Sequence, residues 1–89
     1  MMASVRDLKR DINYVLGDII EAAYIWELTN PDKDTKKSEK IIDDAITTFD
    51  ELIVKVNAKD VENQKQHFKA INQELEDRGR KLIDRINAL

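Results

Sequence analysis

Val5, Leu8, Ile12, Val15, Ile19, Ala22 and Trp26 follow one another at steps of three and four without a miss. A half-buried strand needs alternation at every second residue, so this spacing fixes the first element as a long amphipathic helix. A second row, Leu16, Ile20 and Ala23, widens the apolar face beyond one seam, which predicts a helix facing two partners. Ser4, followed three residues later by Asp7, has the form of a capping box with a shortened acid and sets the helix start near residue 5.

Only two glycines and one proline occur in 89 residues, and both glycines, Gly17 and Gly79, lie inside periodic segments. Turns are therefore few. The first break is Thr29-Asn30-Pro31-Asp32-Lys33-Asp34, where the residue before proline is pushed out of the α region and Pro31 suits the first position of a new helix. The second is Asn57-Ala58-Lys59-Asp60, with an amide able to end one helix and a carboxylate able to cap the next.

Between the breaks, Ile42, Ala45, Phe49, Leu52 and Val56 stand at heptad-like steps, flanked by Ile41, Ile46 and Ile53. Asp43, Asp44, Thr47, Asp50, Glu51 and Lys55 occupy the opposite side, which predicts an amphipathic helix with a solvated back. Residues 32 to 40 hold no large apolar side chain, so the start lies between Pro31 and Ser38, and the early start is favoured because it matches the length of the first helix.

The third segment places Val61, Phe68, Ile71, Leu75, Leu82, Ile86 and Leu89 on one face, with Gln64 and Gly79 at two further core-facing positions. Asp60 and Glu62 at its start and Arg78, Arg80, Lys81 and Arg85 near its end follow the charge order that the helix macrodipole favours. Short connections force antiparallel neighbours. The reading is an all-α, antiparallel up-down-up three-helix bundle with helices at about 4–29, 32–57 and 60–88, forming one domain over 1–89.

Composition removes several function classes. Without cysteine there is no disulfide framework, thiolate nucleophile or Cys-ligated metal. Apolar residues never run for the roughly 18 positions that a membrane helix requires, and the opening residues lead into charge instead of an apolar leader core, so a cytoplasmic location without membrane attachment is expected. Fifteen basic against eighteen acidic side chains give a formal charge of −3. The two basic runs, Lys33, Lys36, Lys37 and Lys40, then Arg78, Arg80, Lys81 and Arg85, are interleaved with acids and lack interspersed aromatics, so nucleic-acid binding is not expected.

A di-metal bundle needs Glu-x-x-His pairs, and the single histidine, His67, reads as a partly buried, hydrogen-bonded side chain at the edge of the third helix. The carboxylates fall mainly on polar faces, with no glycine-rich phosphate loop or nucleophile elbow, so no enzyme activity and no cofactor are expected. Gln64 and Arg78 occupy seam positions where polar residues can fix register, although Arg78 is better read as snorkelling at the rim.

The back of the first helix is harder to account for. At about 100° per residue, Tyr14, Asp18, Glu21, Ile25 and Leu28 line up away from the core stripe, with Gly17 and Tyr24 alongside. Tyrosines and aliphatics mixed with carboxylates have the composition of an interface, and Gly17 permits close approach of a second backbone. Trp26 belongs to the core stripe. The expectation is a non-enzymatic interaction or structural protein that self-associates through helix one, as a homodimer, with Tyr14, Gly17, Tyr24, Ile25 and Leu28 in the contact.

The segment from Asp11 to Ala22 resembles stretches of short bacterial proteins, and in size and helical content the chain is similar to bacteriocin immunity proteins. That similarity implies the alternative, a monomeric regulatory or immunity-type binder that blocks a heterologous protein. Small helical-hairpin proteins of the Trp-x-Gly type are similar in size only, because Trp26 is followed by Glu27 and Leu28.

Overall fold

A computed structural model describes residues 5–58 and 61–89. It folds as a bundle of three helices, α1 (Val5–Thr29), α2 (Lys36–Val56) and α3 (Gln64–Asn87). Their directions follow from which ends meet. Ser38 at the start of α2 reaches Glu27 near the end of α1, so that pair is antiparallel. Lys55, late in α2, meets Glu74, while the earlier Asp44 meets the later Arg85, so α2 and α3 are antiparallel as well. The order is up-down-up, in a rod of 51 × 21 × 18 Å.

The two apolar rows of α1 are why it touches both other helices. Leu8, Ile12, Leu16, Ile19 and Ala23 are buried, and the same core takes Ile41, Ala45, Leu52 and Val56 from α2 and Ile71, Leu75 and Leu82 from α3. Val15, Ile20, Phe49, Ile53, Phe68, Ile86 and Leu89 pack around it. Gly79 is buried where α3 crosses α1, and a Cβ there would stand 3.2 Å from Val15 Cγ1, closer than side chains ordinarily approach. The missing side chain leaves room for Val15 of α1 at that crossing.

Two expectations about helix starts fail, each for a local reason, and one about the core fails with them. α2 starts at Lys36 and not near Pro31. Pro31 lies instead in a turn closed by the bond from Lys33 N to Asn30 O at 3.1 Å, after Asn30 Nδ2 has capped Trp26 O at 3.0 Å. Asp34 Oδ1 then accepts from Lys36 N at 2.9 Å, and the buried Ser38 Oγ, 2.6 Å from Glu27 Oε1, ties the first turn of α2 to α1. α3 starts at Gln64 and not at residue 60, because Asn63 is its N-cap and accepts from Gln66 N at 3.2 Å. Val61 and Glu62 therefore precede the helix, and Gln64, expected in the core, is exposed in the first turn. The proposed caps Ser4 and Asp60 lie outside the described residues.

Candidate interaction surface

On α1 the core stripe and the outward face are divided by helical phase alone. Tyr14 (62%), Tyr24 (52%), Ile25 (51%) and Leu28 (80%) are all half exposed or more. Asp18 and Glu21 are exposed between them, and around Gly17 a Cβ would meet nothing within 4 Å. All five residues singled out from sequence thus lie outside the core, on one helix. Arg10, on the same face, makes long contacts among the described residues, 3.5 Å to Asp7 Oδ1 and 3.9 Å to Asp11 Oδ1.

The surface continues into a groove that sequence reasoning missed. Between α1 and α3 a hollow of about 520 Å³ is floored by Val15, Leu75 and Gly79 and walled by Tyr14, Ile83, Asp11 and Arg80. Ile83 is 46% exposed and extends the apolar patch from α1 onto α3. Its signal was its position one turn beyond Gly79, on the side that the predicted face of α3 left out.

Charges on α2 and α3 are arranged differently. Lys55 Nζ meets Glu74 Oε1 at 2.5 Å, Arg78 Nη1 bonds both Glu51 Oε2 and Glu74 Oε2 at 3.0 Å, and Arg85 Nη1 bonds Asp44 Oδ2 at 2.6 Å. The supposed solvated back of α2 therefore supplies Asp44, Glu51 and Lys55 to a cross-helix ladder, and Arg78 is held at the rim by two carboxylates. The Arg85 hydrogen bond holds Asp44 below the usual carboxylate range against some desolvation, with Lys40 helping. Lys55, and then Arg78, do the same for Glu74. For Arg78 desolvation opposes the charge, but the bonds to Glu51 and Glu74 outweigh it and raise its pKa.

Two further features complete the surface. Lys36, Lys37, Lys40 and Arg85, from the two basic runs, meet around a hollow of about 400 Å³ over Ile41, Ala88 and Leu89. Asp44 pairs with two of these cations, Lys40 at 3.4 Å and Arg85. His67 is half-buried, with Nε2 2.6 Å from Lys55 O and its ring beside Phe68. No helix among the described residues is long and apolar enough to cross a membrane. No family model, curated protein or solved structure matches the chain.

Proposed function

We propose that the protein is a non-enzymatic interaction protein that self-associates through α1, as a reversible homodimer with Tyr14, Gly17, Tyr24, Ile25 and Leu28 in the contact. The observation that carries this reading is the exposure of four large apolar or aromatic side chains on the one face of α1 that the bundle leaves uncovered. Scattered exposed apolar residues are ordinary, but a row of them on one helix face beside a groove with an apolar floor has the make-up of a contact surface. The shifted carboxylates, Asp44 and Glu74, are both held ionised by cations, whereas general-acid chemistry calls for a carboxyl pushed upward.

The expected affinity follows from size. A helix of 25 residues is about 37 Å long, and a contact roughly one helix, or ~10 Å, wide falls short of the ~800 Å² per partner of a stable complex. A contact of that size fits a weak, reversible dimer. Sedimentation equilibrium from low to high micromolar concentration tests this: the average mass should climb toward twice 10.3 kDa, and Ile25→Glu should hold it at the monomer value. A particle that stays monomeric throughout, with or without that substitution, rejects self-association and leaves the surface to a heterologous protein.

A further inference from the structure

The outward residues of α1 form a seam of their own. Arg10, Tyr14, Gly17, Glu21, Tyr24 and Leu28 recur at alternating steps of four and three, the a/d spacing of a coiled coil. At about 100° per residue this row runs opposite the buried row of Leu8, Ile12, Ile19 and Ala23. One helix thus carries two seams, and only the inner one is filled.

Charge along the outer seam is segregated by half. Arg6 and Arg10 precede Tyr14, with Asp7 and Asp11 beside Arg10, whereas Asp18 and Glu21 follow Gly17 with no basic residue between them and the end of α1. Glu21 has no ion-pair partner among the described residues, and the contacts of Arg10 are long and exposed. Parallel pairing with a second copy would set Arg10 against Arg10 and Glu21 against Glu21. Antiparallel pairing relieves this. A two-fold axis midway between Val15 and Leu16 faces Arg10 with Glu21 of the second copy, and Tyr14 with Gly17 of the second copy, each twice. Each is an a position facing a d position. Gly17 has no side chain and open space around it, so the Tyr14 ring has somewhere to lie. Sliding by one heptad places Tyr14 opposite Tyr24 but sets Arg10 against Leu28 and Gly17 against Glu21, which leaves both charges unmatched.

Resting on the self-association proposed above, we infer that the occupant of the outer seam is α1 of a second copy, antiparallel, in the register that pairs Arg10 with Glu21. Tyr14 and Gly17 then form its centre, Tyr24 lies at its edge opposite Asp7 of the second copy, and Leu28 extends past Val5, the first described residue of that helix. The contact is isologous and closes at two chains, so the assembly is a dimer and not a filament.

Charge reversal and cross-linking test it together. Arg10→Glu and Glu21→Arg should each raise the dimer dissociation constant by about tenfold or more, and the double variant should bring it back to within about threefold of the parent. In a parallel dimer the single reversals only exchange one like-charge pair for another, and the constant would stay put. The chain has no cysteine, so Arg10→Cys and Glu21→Cys each place one thiol on the seam. Mixed and oxidised, they should give the 10–21 disulfide and neither same-site disulfide, because equal positions lie about 16 Å apart at 1.5 Å per residue. Both sites are exposed, and unchanged helical circular dichroism shows that the fold is kept. A dimer that forms same-site disulfides, or joins Arg10→Cys to Leu28→Cys instead, overturns the register while self-association stands. No dimer in any arm removes both.

Discussion

Gly17 and Gly79 both interrupt helix interiors, yet they do opposite things. At Gly79 a Cβ would stand 3.2 Å from Val15, whereas at Gly17 it would meet nothing. The bundle uses the first to bring α3 onto α1 and has no internal use for the second. The same contrast runs along the whole of α1, whose inner face ends in buried Leu8, Ile12, Leu16 and Ile19 and whose outer face ends in exposed Tyr14, Tyr24, Ile25 and Leu28. A glycine in a helix interior lowers stability by about 0.5–1 kcal/mol relative to alanine. At Gly79 packing offsets that loss within the chain, and at Gly17 no contact inside the bundle does.

The sharpest break of this comparison is truncation on each face. Leu16→Ala, at a side chain 1% exposed, should lower the free energy of unfolding by about 2–5 kcal/mol, and Leu28→Ala should change it by less than about 0.5 kcal/mol; urea melts at low concentration, where the monomer dominates, would show both. Next come the glycines. Gly17→Ala should stabilise the monomer by about 0.5–1 kcal/mol while weakening self-association. Gly79→Ala should come out about 1 kcal/mol below it, since Val15 is β-branched and leaves its preferred rotamer reluctantly. If Gly17→Ala strengthened both fold and association, the outer glycine would have no contact role.

The smallest effect belongs to the α2–α3 ladder. Asp44 and Glu74 have lowered pKa values in the folded state, so the stability they confer is fully present above the unfolded carboxylate range, near pH 4. It disappears as the pH falls through their folded values. Because the ladder is partly exposed, each pair should account for less than about 1 kcal/mol. Urea melts between pH 6 and pH 2 should show this loss, and it should be reduced in Asp44→Asn. A stability that falls on raising the pH from 5 to 7 would contradict the assignment.

Helical periodicity made most of the architecture legible. It identified three helices and the outward face of α1, because burial in a helix follows phase. Of the expected core row Leu8, Ile12 and Ile19 are buried, Val15, Ala22 and Trp26 are half-buried and Val5 is exposed, while Leu16 and Ala23 of the second row complete the core. Helix starts were less legible. Proline chemistry favoured residue 31 for α2, but the start was fixed by Asp34 and by the pairing of Ser38 with Glu27, a residue on another helix. At α3 both Asp60 and Asn63 are competent caps by type, and it is Asn63 that accepts the bond from the helix. The groove at Ile83 and the role of Gly79 were hidden for a different reason: both depend on which side of α3 meets α1.

Local spacing is enough to say which residues share a helix face, since each turn is built from hydrogen bonds between near neighbours. It leaves open how far one helix is rotated and slid against the next. That offset comes from packing, as where Gly79 admits Val15. It decides whether Asp44 finds Arg85, 41 residues away, or Glu51 finds Arg78, 27 away. The chain's pattern therefore determined three amphipathic rods and an uncovered face on the first. Only their packing decided which charges pair across the helices and which face solvent without a cross-helix partner.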